Sequence, residues 1–99
     1  MEYMKRYKKG IKCAEVEWVE LFDILRLHYG ATQCIDNGIV EEVGDGGYYC
    51  ELEVKGTSGR FVRIAMVELY GDVIEEGDID IVYDGGEDVI ECIIRIKCV

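Results

Sequence analysis

Clusters of glycine with Asp, Asn, Ser or Thr divide most of the chain into short segments, which limits the folds that it can adopt. The clusters lie at 36–38, 44–47, 56–59 and 84–86, and their residue types favour tight turns. Around them we predict strands at 39–43, 48–55, 61–70, 79–83 and 88–98. Because strands joined by short turns pair as hairpins, the spacing predicts an antiparallel β meander over residues 39–99.

A helical pattern precedes these strands, at residues 14–29. Its apolar side chains recur at helical spacing along one stripe, formed by Ala14, Trp18, Leu21, Phe22, Leu25 and Tyr29. Acidic residues in the first turn and basic residues in the last turn suit the helix dipole. Val16, Val19 and Leu27 fall on the opposite face. We therefore predict an α+β fold in which one N-terminal helix packs on an antiparallel sheet of four to five strands.

Two of the predicted strands are apolar on both faces. Segments 61–69 and 89–96 are nearly continuous apolar runs, whereas apolar and charged residues alternate within 48–55. A single helix covers only one face of a sheet, so the other face needs cover from elsewhere. With Val16, Val19 and Leu27 as partner-binding residues, this pattern predicts a homodimer.

Length and composition predict one domain over residues 1–99, without membrane contact. A chain of 99 residues, 49% of them apolar, can form a single core without cross-links. No apolar stretch approaches the ~20 residues that span a bilayer. Charged residues also interrupt the segments that would serve as a signal peptide, so we expect an intracellular location.

Charge is segregated along the chain. Residues 1–13 form a basic arm with five Lys or Arg residues and one Glu, although the net charge of the whole chain is −10. The acidic remainder opposes binding to nucleic acid. Attraction to phosphate is therefore predicted only through the arm, by Lys5, Arg6, Lys8 and Lys9. An acidic surface also suits a partner protein with a basic surface.

The cysteines carry no metal-binding pattern. The five are Cys13, Cys34, Cys50, Cys92 and Cys98, and none is paired as C-x-x-C. With His28 as the only histidine, the sequence predicts neither a metal site nor a cofactor. We expect mainly buried thiols, with one or two disulfides as the alternative. Cys92 and Cys98 lie too far apart along one strand to bond with each other.

One short motif offers catalytic chemistry. Glu53 and Lys55 flank a single residue on a predicted strand, and Asp45 or Asp36, each in a preceding turn, could supply a further carboxylate. Metal-dependent nucleases use such carboxylates to hold Mg²⁺ and such a lysine to polarise phosphate. A Glu-x-Lys triplet is also an ordinary pattern for a solvent-facing strand, so both interpretations stay open.

Three regions of the chain carry a resemblance: the helix at 15–27, the isoleucine-rich tail at 92–99 and the opening Met1-Glu2-Tyr3-Met4-Lys5-Arg6. They resemble small proteins of filamentous and rod-shaped viruses of hyperthermophilic archaea, the lipothrixvirus and rudivirus group. The resemblance carries no functional motif. It implies a thermostable viral accessory protein of unassigned function that interacts with host proteins in the host cytoplasm.

Together these features predict a protein without catalytic activity that acts through protein–protein contact as a homodimer. A metal-dependent nuclease using Asp45, Glu53 and Lys55 is one alternative. Nucleic-acid binding through the basic arm is the other.

Overall fold

The computed structural model describes residues 11–12, 15–42, 44 and 46–98. Its helices and strands follow in the order α1 (Val19–His28), β1 (Gln33–Glu41), β2 (Tyr48–Lys55), α2 (Gly59–Tyr70), β3 (Ile79–Gly85) and β4 (Glu91–Lys97). A short 3-10 turn at Glu76–Asp78 precedes β3. The predicted α+β class with an antiparallel sheet is confirmed.

The four strands form one sheet in the order β1-β2-β4-β3, with every neighbouring pair antiparallel. β1 and β2 form one hairpin, β3 and β4 form the other, and the two hairpins join through β2 and β4. Because α2 intervenes between the hairpins, the sheet differs from the simple meander that the turn spacing suggested.

The strand predicted at 61–70 is wrong, because this segment forms α2. Its buried residues Val62, Ala65 and Met66 recur at the three- and four-residue spacing of a helix that packs on one face. The flanking apolar residues made the run look continuous, and a continuous run fits a buried strand equally well. Within the described residues the sheet therefore has four strands, and a second helix joins the predicted one.

The other boundaries differ by a few residues. α1 begins at Val19 rather than residue 14, because Trp18 adopts the left-handed conformation with φ 52°. β1 begins at Gln33 rather than residue 39 and runs through the 36–38 cluster, where the pairing register shifts between Asp36 and Gly38. Such a bulge accommodates an extra residue without ending the strand. β2 has the predicted bounds.

Both helices cover the same face of the sheet. One buried cluster joins Leu21 and Leu25 of α1 and the buried residues of α2 to alternate residues of the central strands, namely Cys50, Leu52, Val54, Cys92, Ile94 and Ile96. The rings of Trp18 and Tyr70 lie 5.3 Å apart, and those of Tyr29 and Phe61 lie 5.4 Å apart. Each end of α1 thus meets the opposite end of α2, so the helices are antiparallel.

Candidate functional site

The three predicted partner-binding residues, Val16, Val19 and Leu27, separate into two groups. Val19 is 58% exposed and Leu27 is 77% exposed, on the side of α1 that faces away from the sheet. Val16, which precedes the helix, is instead partly buried against the core. The outward pair is therefore Val19 and Leu27.

Helix α2 adds exposed apolar side chains that sequence reasoning missed. Phe61 is 42% exposed and Ile64 is 38% exposed, next to the buried residues of the same helix. They were missed because 61–70 was interpreted as a strand, although helical spacing from Val62 places both outside the buried stripe. We call the outward side of α1 and α2, with Val19, Leu27, Phe61 and Ile64, the helical face.

The charges of the two helices balance. α1 carries Glu20, Asp23 and Arg26, whereas α2 carries Arg60, Arg63 and Glu68, which gives three acidic and three basic residues in all. Arg26 pairs with Asp23 at 3.2 Å within α1. Within the described part of the chain, Arg60 and Glu68 have no ion-pair partner. The helical layer is thus neutral in a protein whose net charge is −10.

The opposite face of the sheet is mainly polar. The residues of β2 and β4 on this face are Glu51, Glu53, Lys55, Glu91, Ile93, Arg95 and Lys97, together with Tyr49, which is buried. Arg95 donates to Glu42 at 2.6 Å and to Glu51 at 3.0 Å, and these hydrogen bonds raise the pKa of its guanidinium. The expectation that both faces of the last strand need apolar cover is therefore wrong for this strand.

The predicted catalytic pair lies on this polar face. Glu53 and Lys55 line a cavity of about 260 Å³ together with Tyr83, Glu91 and Ile93. Asn37 holds the Glu53 carboxylate by donating to it at 3.1 Å. Glu91, opposite Lys55 in the β2–β4 pairing, is a second carboxylate that sequence reasoning missed, since its position depends on strands that are distant in the chain.

The third predicted catalytic residue, Asp45, lies outside the described residues, as do Lys5, Arg6, Lys8 and Lys9 of the basic arm and Cys13. Within the described ranges, no three His, Cys, Asp or Glu side chains are arranged to hold a metal ion.

The cysteines have different bonding states. Cys34, Cys50 and Cys92 are free thiols, whereas Cys98 is disulfide-bonded. Cys92 and Cys98 are thus not bonded to each other, as strand geometry predicted. Burial raises the pKa of Cys50 to about 11 and that of Cys92 to about 12, with nearby carboxylates adding to both effects. Both thiols are therefore protonated at neutral pH.

Neither described helix has the length and apolar character needed to cross a membrane. Comparison with protein-family models, curated proteins and solved structures finds no match to this chain. The functional inference therefore rests on the surfaces described above.

Proposed function

We propose that this protein acts without catalysis, through protein–protein contact, as a homodimer joined through the helical face. The observation that carries the proposal is the combination of exposed apolar side chains and balanced charge on this one face. Because the opposite face of the sheet carries mainly charged residues, the proposal depends on the helices.

The apolar contribution comes from both helices. Val19, Leu27, Phe61 and Ile64 together expose a substantial apolar area, and removing such area from water stabilises an association by about 25 cal/mol per Å². Scattered exposed apolar residues are common on monomers, whereas groups of them at one face are typical of interaction sites. Leu27 is the most exposed of the four and is the residue on which we expect the largest effect.

The balanced charge of the helical face favours a second copy of the chain as the partner. Two copies of a chain with net charge −10 repel each other, and the repulsion is smallest where the approaching surfaces are neutral. In a twofold dimer the same patch meets itself, so charged residues in the patch need partners of the opposite sign within the same patch. The helical face meets this requirement, and Arg60 and Glu68 are available for pairing across the twofold axis.

Sedimentation velocity over a concentration series tests the proposal. We expect concentration-dependent dimerisation that the double variant Leu27→Glu, Ile64→Glu weakens at least tenfold, because it places a carboxylate on each helix. The matched control is Val89→Glu, since Val89 is a similarly exposed apolar residue in the loop before β4. A protein that stays monomeric at all accessible concentrations, or a control that weakens the dimer equally, would refute the proposal.

We propose a second partner class from the acidic loops. Residues 71–78 carry Asp72, Glu75, Glu76 and Asp78 without a basic residue, and this segment suits a host protein with a basic surface. The role as a viral accessory protein of archaea, which the resemblance implies, belongs to the same proposal. Binding to a basic partner should weaken steeply with salt and should persist in the Leu27→Glu, Ile64→Glu variant.

Nuclease activity is the second candidate function, and the cavity on the polar face is the observation that favours it. Mg²⁺ is commonly held by one or two carboxylates together with substrate phosphates. Glu53 and Glu91 are the described residues that would hold it, and Lys55 would contact a phosphate. The test is Mg²⁺-dependent cleavage of DNA or RNA that Glu53→Gln abolishes; cleavage that persists in this variant would exclude the site.

A further inference from the structure

The sulfur atoms of Cys50 and Cys98 lie unusually close for residues that are not bonded to each other. Their Sγ atoms are 3.4 Å apart, although Cys50 is a free thiol and Cys98 already belongs to a disulfide. The sheet produces this contact. Cys98 extends the β2–β4 pairing by donating its amide to the Tyr48 carbonyl at 2.8 Å, which places Cys98 diagonally across from Cys50.

We propose that Cys50 is the nucleophile of an internal thiol–disulfide exchange at Cys98. The Cys50 thiolate attacks Cys98 Sγ, a Cys50–Cys98 bond forms, and the existing bond of Cys98 breaks. The former partner of Cys98 leaves as a thiolate and takes up the proton that Cys50 released. One disulfide is exchanged for another, so the step needs no external oxidant or reductant.

The geometry is close to what the reaction requires. Forming a bond of ~2.0 Å needs the two sulfur atoms to approach each other by roughly 1.4 Å from their present separation. Cys98 directly follows the last residue of β4, so this movement occurs at the end of the sheet and leaves the central pairs in place. Cys50 is buried, so intramolecular attack at Cys98 has an advantage over reaction with thiols in solution.

The environment of Cys50 determines when the exchange runs. Burial raises the pKa of this thiol to about 11, so the reactive thiolate is scarce at neutral pH. At pH values below this pKa, the thiolate fraction increases about tenfold for each unit by which the pH is raised. The exchange is therefore slow in the folded protein at neutral pH and becomes faster as the pH is raised.

The described surroundings of Cys98 include one residue from outside the named strands. Ile11 is buried and pairs with Cys98 as an isolated parallel bridge, so the exchange takes place next to this pairing at the end of the sheet.

Disulfide mapping tests the proposal. The protein is incubated without reductant over a series of alkaline pH values, quenched with acid, denatured and alkylated. Trypsin and a Glu-specific protease then cleave between Cys34 and Cys50, and linked peptides are identified by mass spectrometry. We expect a Cys50–Cys98 peptide that accumulates about tenfold faster per pH unit, with one newly alkylated cysteine for each such bond formed.

Two variants provide the controls. Cys50→Ser should leave Cys98 with its original partner at every pH. Cys92→Ser removes another buried thiol of raised pKa, one that is not in contact with Cys98, and should leave the exchange unchanged. The proposal is overturned if Cys98 in the unaltered protein keeps its original partner at alkaline pH, or if Cys50–Cys98 bonds form only between two chains.

Discussion

Replacing Gly56 by alanine tests how the connection between β2 and α2 positions the helical face. Gly56 has φ +95°, and a Cβ placed there would lie 2.6 Å from the Gly30 carbonyl oxygen and 2.8 Å from the Thr32 amide nitrogen. Both neighbours are backbone atoms in the segment that links α1 to β1. The side chain cannot be accommodated by a rotamer change, so one of the two segments must move.

Two contributions set the size of the effect. Holding an alanine in the left-handed conformation destabilises the folded state by about 1–2 kcal/mol. Alanine also lowers the conformational entropy of the unfolded chain, which offsets about 0.4–1 kcal/mol of this cost. Forcing the extra carbon against backbone adds roughly 1–3 kcal/mol. We therefore expect Gly56→Ala to lower the free energy of unfolding by about 2–4 kcal/mol, which lowers the Tm by at least ~8 °C for a domain of this size.

Gly38→Ala is the matched control. Gly38 has φ +80°, but a Cβ at this position would have nothing within 4 Å. The variant therefore retains the conformational cost, about 1 kcal/mol, and lacks the collision. Urea titration followed by fluorescence of Trp18, the single tryptophan and a buried residue, measures both variants. Unfolding free energies that agree within ~0.5 kcal/mol between the two would contradict the close approach at Gly56.

Three further predictions concern stability. Thr57 is 3% exposed and its hydroxyl has no hydrogen-bond partner among the described residues, so Thr57→Val should stabilise the protein by about 1 kcal/mol in urea titrations, whereas Thr57→Ala should not. Arg95→Met removes the ion pairs with Glu42 and Glu51 and should cost about 1 kcal/mol at low salt and less at high salt. Burial raises the pKa of Cys92 from 9.0 in the unfolded chain to about 12 in the folded protein. The folded state therefore holds this proton more tightly than the unfolded state. The resulting contribution to the free energy of unfolding is fully present below pH 9.0 and is lost as the pH rises from 9.0 to about 12. Cys92→Ala should make the alkaline decline of the unfolding free energy less steep, and an unchanged slope would contradict the burial of this thiol.

The parts of the fold that sequence predicted are those with an unambiguous period. In β2, Cys50, Leu52 and Val54 alternate with charged residues, and the predicted and observed bounds agree. The run at 61–70 contains apolar residues at both two- and four-residue spacing, so its period did not distinguish a strand from a helix. The start of α1 depends on the left-handed conformation of Trp18, which no local pattern indicates.

The residues of the candidate sites were likewise predictable only where a local sequence period is unambiguous. Helical spacing alone placed Val19 and Leu27 outward, whereas Phe61 and Ile64 were missed with the helix that carries them. Glu91 reaches the cavity of Glu53 only because β4 pairs with β2, which is an arrangement between distant segments. Long-range pairing of this kind depends on how the two hairpins meet, and no single-sequence pattern encodes it directly.

The two main proposals concern separate parts of the molecule and can therefore fail separately. The proposed dimer uses the outward sides of α1 and α2, whereas the exchange takes place at the end of the sheet where Ile11 pairs with Cys98. A carboxylate introduced at Leu27 adds no charge near Cys50, so the mapped rate of exchange should be unchanged in that variant. Cys50→Ser should likewise leave the dimer constant unchanged, because its side chain lies in the core rather than on the helical face. A variant at one place that altered the other would show that the two are coupled through the core, since Cys50 and the buried residues of both helices belong to one cluster.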